Sequence, residues 1–552
     1  MAQSPASAGF RGTFRDDLPA RAVYSEAAGI ARILPRAVAV PADPEDVATL
    51  VGWAAETATP LVARGSGSSM AGGAIGDGVV VDLSRLDSVH APDPARRTIR
   101  CGPGAVRDAI DEAARALGLQ FPVDPSSGAF CSVGGMASTN AAGSHSLRYG
   151  ATRGWVEALD CVFADGSRGE VRRGVAPPPL PLLRRVLDAL EPVRAAERLT
   201  PSRHAGVRKE SSGYGIADWA ESGELVDLLV GSEGTLALIV GLELRLAPLL
   251  AHSASLLGAF ATLEDAVSAA DRARGAGAVA CELLDRSFLD VARHGGTPVP
   301  APDDAEAVLL AEVEASSRDE ADAIGRAIEA EFRASGATAV RLALDAETEH
   351  AIWALRHAAS PIISTIHPEL TSMQLIEDGC VPPARLPEYV RGVRAAFARH
   401  RLRGVIFGHA GDANVHVNPL IDVREPDWRE RAEGLLDDIS TLTGQLGGTL
   451  SGEHGDGRLR APLLSRVWSA ETLARFAAVK QAFDPAGILN PGVKIAAPGA
   501  RAVGDVKYDP TLPALPEPAR AALTRVERER AYARPRLALL DEAALDGRKG
   551  AV

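Results

Sequence analysis

"LVARGSGSSMAGGAIGDGVVVD", residues 61–82, places an apolar run, a tract of glycine and serine, and a second apolar run in a single line. The flanks read as strands and the middle as a loop. A loop of small residues lets backbone N–H groups come close to an anion, and Arg64 and the serines add donors. It is not a P-loop, because no Lys-Ser/Thr follows its glycines. It is not a dinucleotide fingerprint either, because a strand follows it where a helix is needed. Taken alone, it reads as well as a plain turn.

Two more tracts change the balance. "DPSSGAFCSVGGMASTNAAGSHSLRYGATRG" (124–154) is long, poor in bulky apolar side chains and free of low-complexity runs. A segment of this kind inside a periodic domain is disordered or wrapped around a ligand, and its irregular composition favours the ligand. "GSEGT" (231–235) lies in a loop between the apolar runs of 227–248. Three such loops in one α+β domain suit a long, diphosphate-bearing cofactor.

Around these loops, strand and helix alternate. A strand and a helix starting near Asp43 precede the first loop, a helix fills "AVRDAIDEAARALGLQFP", and a hairpin turns at Asp165-Gly166. Beyond Pro248, "LLGAFATLEDAVSAADRARGAG" and "VLLAEVEASSRDEADAIGRAIEAEFRASG" each pair a strand with an amphipathic helix. The expected organisation is a lead-in (1–34), a first α+β domain (35–248), a second (249–495) and a tail (496–552). Charged helices are expected between 517 and 544, with no chemistry in them.

The chain has 552 residues, 46% hydrophobic and 24% charged, with a formal net charge of −13. That sign argues against a nucleic-acid binder and leaves room for small anionic substrates in a local arginine pocket. Its five cysteines form no C-x-x-C pair, which argues against an iron-sulfur cluster and fits reduced thiols in a cytoplasmic protein. No run is long and apolar enough for a membrane span. Peripheral contact with the inner membrane is compatible with that.

"IFGHAGDANVHVNP" (406–419) reads as strand, turn, strand. Alternation puts His416 and Asn418 on one face, and His409 can meet His416 across the hairpin. A carboxylate is available in "SGEHGDGRLRAP" (451–462), where Glu453 and His454 sit in a glycine-flanked loop. Two imidazoles and a carboxylate would make a three-ligand metal site with open positions. A surface hairpin and an unrelated glycine turn fit these residues equally well.

The ordered motifs "ARGSGSSMAGG", "DPSSGAFCSVGGMASTNAAG" and "VGSEGTLALI" resemble the flavin-binding domain of the vanillyl-alcohol oxidase/PCMH flavoprotein family. That resemblance implies FAD held between two α+β subdomains. The pyrophosphate loop would be Arg64, Gly65, Ser66, Gly67, Ser68 and Ser69, with Gly72 and Gly73. Ser126, Gly134, Gly135, Ser138, Thr139 and Asn140 would form a second strip, and Glu233 and Ile239 a third. No histidine stands in the first loop, so the flavin is expected to be noncovalent. His145 reads as a loop histidine.

"GHAGDANVHVNP", "SGEHGDGR" and "FDPAGILNPGVK" (483–494) resemble the C-terminal domain of FAD-linked D-2-hydroxyacid dehydrogenases, a group that includes D-lactate dehydrogenases and the glycolate oxidase flavoprotein subunit. This implies a cap domain with a mainly antiparallel sheet. It also implies a divalent metal on His409, His416 and Glu453, with zinc expected and manganese or iron as alternatives. Asn418 would contact substrate, Asn490 would lie near the flavin, and Arg356 of "IWALRHA" (352–358) would grip the substrate carboxylate. Read without the resemblance, Arg356 is a surface arginine on a helix.

Where many relatives have G-D-G-N, this chain has Gly411-Asp412-Ala413-Asn414, so the turn is expected to avoid positive φ. Ile376 and Glu377 stand where 2-hydroxyglutarate enzymes carry a lysine, which argues against that diacid.

The implied reaction is oxidation of a small anionic 2-hydroxy acid, like D-lactate or glycolate, to the 2-oxo acid. His454 would act as base, with metal-assisted hydride transfer to flavin N5. Electrons would leave to a quinone, an iron-sulfur subunit or an electron-transfer flavoprotein, and a homodimer is compatible with the sequence. Two other readings stand beside this one: a non-redox alkylglycerone-phosphate synthase, and a flavin-bearing electron-transfer subunit. The synthases carry a run of histidines where Ser451-Gly452-Glu453-His454 stand here, so Glu453 favours the dehydrogenase.

Overall fold

The computed structural model describes residues 4–296, 298–343, 345–357 and 369–549. The first layer grows from Asp43. Its side chain accepts a hydrogen bond from Asp46 N and caps the helix Pro44–Thr57, with Pro44 pre-setting the first turn. That helix buries Val47, Leu50, Val51 and Trp53 against a four-stranded sheet. The sheet runs in the order Thr13–Arg15, Ala37–Val40, Val79–Asp82, Leu61–Arg64, and its last three strands are parallel. The parallel strands are buried on both sides, which explains their continuous apolar runs. Asp46, in the helix's first turn, also accepts from the backbone N–H groups of Arg11 and Gly12, tying the amino-terminal edge strand in place.

A second four-stranded sheet, antiparallel throughout, has the order Thr98–Cys101, Ala237–Arg245, Val156–Phe163, Arg168–Arg172. One expected strand is a helix: Leu225–Leu229 is helical, and all five of its residues are buried. A short apolar run looks the same in either state, and here Gly223 in the left-handed region (φ +79°) resets the chain direction just before it.

The cap is one antiparallel eight-stranded sheet. Its central order is His252–Phe260, Ala307–Ala315, Ala280–Asp285, Arg403–His409, Asn414–Ile421. Helices Leu263–Gly275, Arg318–Ala334 and Leu386–Arg399 bury their apolar stripes on one face. The chain then returns to the first sheet, where Leu61 N donates to Ile488 O and Asn490 N donates to Leu61 O.

The tail is structured. Helices Glu517–Glu529 and Arg536–Lys549 bring Ala519, Ala522, Val526, Leu539 and Leu540 onto Val38, Val62 and Val80 of the first sheet and onto Ala20 and Val23 of the helix Leu18–Val23. Among the described residues, no helix is long and apolar enough to cross a membrane.

Candidate active site

The glycine loops and the histidine hairpin open into one cleft of about 680 Å³. One wall carries Arg64 to Ser69, Gly73, Ser126, Gly134, Gly135, Ser138, Thr139, Glu233 and Ile239; the other carries Arg356, His409, His416, Asn418, Glu453 and His454. The loops pack too closely for a side chain at two of their glycines. A Cβ added at Gly65 would lie 2.0 Å from Ser132 Oγ, and one at Gly134 would lie 2.6 Å from Pro103. Ser69 Oγ is buried without a partner. A tight cradle of N–H groups with an unused hydroxyl fits the anionic diphosphate of FAD.

Three of the expected flavin residues brace this wall from behind. Asn490 donates to Gly73 O and Glu233 O and accepts from Arg458. Asn140 closes the helix Val133–Thr139 in the left-handed region and accepts from Arg153 N. Gly72, at φ +78°, backs onto Arg458. Glu233 reaches the cleft, but its carboxylate pins the turn after His454, accepting from Asp456 N and Gly457 N beside Lys494. The Arg64 guanidinium hydrogen-bonds the carbonyls of Tyr24, Glu26 and Ala74 beneath the loop, and its Nε has no partner.

At the other end, three imidazoles face one carboxylate oxygen. Glu453 Oε1 lies 3.2 Å from His409 Nε2, 3.7 Å from His416 Nε2 and 3.7 Å from His454 Nε2. The hairpin supplies the first two. Its strands pair Phe407 with His416 and His409 with Asn414, so the two imidazoles meet diagonally, with ring centroids 5.3 Å apart.

The far nitrogens are held. His409 Nδ1 lies 2.5 Å from Glu282 Oε1, and His416 Nδ1 bonds the carbonyl of Glu377. Those partners turn both Nε2 atoms toward Glu453, as hydrogen bonds to the far ring nitrogen do for histidines that hold a metal. His409, His416 and Glu453 offer ligand atoms all within 4.8 Å of one another, a donor set that fits a divalent cation.

The turn between the strands departs from expectation. Ala413 adopts φ +56°. The left-handed conformation costs a Cβ-bearing residue about 1–2 kcal/mol. It is held because Ala413 N donates to Ala410 O while its carbonyl accepts from Val381 N.

Charge in the cluster is uneven. Burial and the neighbouring His409 and His454 push His416 down to about 4, so it is neutral. Burial works against a charge on His409, but Glu282 outweighs it and lifts the group to about 9. His454 is likewise desolvated, and Glu377 and Asp378 carry it up to about 10. Glu453 is buried, yet Lys209 and His409 hold it well below the usual carboxylate range. Beside the cluster, Arg356 bonds Glu282 through Nε at 2.8 Å and lies over the Phe407 ring. Among the described residues, Asn418 Oδ1 is buried without a partner.

Several site residues escape a reading of motifs. Lys209 donates to Glu453 at 2.9 Å, and Glu282, Glu377 and Asp378 orient the imidazoles and the 451–454 loop. One signal for Lys209 was available: it is one of only five lysines among 59 basic residues, and a compact ammonium suits a buried carboxylate pair. Gln374 and three tail residues, Glu527, Arg530 and Tyr532, also line the cleft, and nothing in their sequence context marks them.

Residues 35–172 match the FAD binding domain family, and residues 249–493 match the FAD linked oxidases, C-terminal domain. The glycolate oxidase subunit GlcD of Escherichia coli is 31% identical over 471 residues, covering 84% of each chain. The chain belongs to the FAD-linked oxidase family. It is therefore an FAD-dependent oxidoreductase with the α+β architecture of that family.

Among other family members, a D-lactate dehydrogenase of Archaeoglobus fulgidus is 30% identical, covering 82% of this chain and 90% of that one. A D-2-hydroxyglutarate dehydrogenase of Pseudomonas putida is 28% identical over 91% of this chain but only 52% of its own length. The fold is shared with an alkyldihydroxyacetonephosphate synthase, with a TM-score of 0.60 at 16% identity over 87% of this chain and 82% of that one. It is also shared with the 4-ethylphenol oxidase from Gulosibacter chungangensis, with a TM-score of 0.62 at 16% identity over 88% of this chain and 94% of that one.

Proposed function

We propose that the chain oxidises a small D-2-hydroxy acid of the D-lactate or glycolate type to the 2-oxo acid. FAD would be held noncovalently in the glycine loops, and a divalent cation, zinc or else manganese or iron, by His409, His416 and Glu453. The observation that carries this reading is the convergence of His409 Nε2, His416 Nε2 and Glu453 Oε1 beside an unpartnered Asn418 Oδ1, in the same cleft as the loops.

Each residue then has a task. The Nη edge of Arg356 grips the substrate carboxylate as a fork, while its Nε stays on Glu282. Asn418 contacts the substrate beside the carboxylate. His454, with Nδ1 held by Glu377, takes the 2-hydroxyl proton at Nε2. Its high proton affinity would fall toward neutrality with a cation in the neighbouring site. When bound, FAD supplies the two-electron oxidation at C2 and the cation supplies Lewis acidity at the 2-hydroxyl. The buried walls keep bulk water from the reacting atoms. The electrons leave to a separate acceptor: a quinone, an iron-sulfur subunit or an electron-transfer flavoprotein.

Rapid mixing of the purified chain with D-lactate, L-lactate, glycolate and D-2-hydroxyglutarate tests this reading. Flavin bleaching by D-lactate or glycolate, lost on chelation and restored by metal, is expected. Flavin that stays oxidised with every 2-hydroxy acid would overturn it.

A further inference from the structure

The carboxy-terminal segment reaches the flavin cleft. Its two helices pack on the first sheet through Ala519, Ala522, Val526, Leu539 and Leu540. The turn between them starts at Arg530, in the left-handed region at φ +51°, and brings Arg530 and Tyr532 to the cleft wall. The Tyr532 ring stacks on Phe130 of the second glycine-rich strip, with centroids 5.2 Å apart and planes 29° apart. Arg536 is 3% exposed; it donates to Ser66 O in the first loop and lies over the Tyr532 ring.

The arginines at this end are not paired. Among the described residues, Arg64, Arg530 and Arg536 form no ion pair. Arg64 and Arg536 are both buried, and each has an Nε without a partner. The nearby carboxylates do not touch them: Glu527 holds Lys507, and Asp82, whose charge both buried arginines feel, takes the Tyr24 hydroxyl. Burial, and then the repulsion of Arg64, lowers Arg536 to about 10. Buried guanidinium groups with no carboxylate in direct contact, and with an unused Nε each, suit an anion beside them. None of the hydrogen bonds or ion pairs of residues 527–536 reaches the imidazole cluster.

We infer that the segment 527–536 belongs to the flavin site and closes over the adenosine-diphosphate half of FAD. Tyr532 and Phe130 form an aromatic wall for the adenosine, and Arg530 and Arg536 complement the diphosphate that the glycine loop cradles. The orientation rests on the proposal above, which puts the redox end of the cofactor at the imidazoles.

The test uses the full chain, stripped of flavin and titrated with FAD or with riboflavin, which lacks the diphosphate and the adenosine. Tyr532→Ala and Arg530→Ala should each weaken FAD at least tenfold and leave riboflavin affinity unchanged, with Tyr532→Phe close to wild type. FAD affinity unchanged in both alanine variants overturns the inference and leaves the flavin reading intact. Equal losses for FAD and riboflavin also overturn it, because they report a general disturbance of the fold. A wild-type chain that binds no FAD overturns the flavin reading itself.

Discussion

Lys209 Nζ lies 2.9 Å from Glu453 Oε2, on the side of the carboxylate away from the imidazoles. Both groups are buried, and Asp412 Oδ2 stands 3.7 Å from the same ammonium. The lysine holds Glu453 ionised while leaving Oε1 to the cluster. Lys209→Met strands two buried carboxylates and should cost about 3 kcal/mol of stability, read by denaturant unfolding. Combining it with Glu453→Gln should cost less than the sum of the single changes. An additive double variant would show that the two do not interact.

Replacing a member of the proposed metal set separates metal from flavin. Glu453→Ala or His416→Ala should abolish bound metal in elemental analysis and lower turnover on the order of a thousandfold. The visible flavin spectrum should persist, because the glycine loops are untouched. Metal retained at wild-type stoichiometry in either variant would count against the site.

In the proposed reaction His454 is the imidazole outside the metal set, with Nδ1 held by Glu377 and Nε2 left to the substrate proton. His454→Gln should lower kcat roughly 10²- to 10⁴-fold with little change in KM. A change confined to KM would make it a binding residue.

Arg356→Lys keeps the charge and removes the fork. We expect KM for a 2-hydroxy acid to rise roughly ten- to a hundredfold, with flavin content unaffected. Unaltered KM would mean that the substrate carboxylate binds elsewhere.

His145 reads in sequence as a loop histidine, and it lies in the turn before the helix Ser146–Tyr149, where it also reaches the cap sheet. Its Nδ1 lies 2.5 Å from Asp124, and its Nε2 lies 3.4 Å from Glu312 on the cap sheet. Burial opposes its charge, but Asp124 and Glu312 prevail and raise it to about 11. The folded value is above the unfolded one, so the stabilisation is complete below about pH 6.5 and fades as pH climbs toward 11. The Tm gap between wild type and His145→Gln should be widest near pH 6 and narrow steadily by pH 10. A gap independent of pH would remove the ion-pair explanation.

The elements legible in the sequence were those whose cause is local. Asp43 caps its helix through its own neighbour Asp46, and the spacing of His409 and His416 places both on one hairpin. The loops around Gly65 and Gly134 announce a close backbone approach. Residues whose role depends on a distant partner were not legible. Glu282 orients His409 from another strand, and Glu377 orients both His416 and His454. Nothing around Leu225–Leu229 separates helix from strand. Ala413 takes a conformation its side chain disfavours because Val381 and Ala410 hold its backbone.

The outer face of the first sheet is covered by side chains far apart in sequence: Ala20 and Val23 from one helix, Ala519, Val526 and Leu539 from two much later ones. During synthesis, Val38, Val62 and Val80 leave the ribosome with only the Ala20 and Val23 part of this cover, and the long stretch up to Ala519 must be translated before the rest arrives. At about 5–20 residues per second, that interval lasts tens of seconds. In the meantime a nascent chain holds an incompletely covered apolar sheet surface, and this early-made layer is among the last to mature.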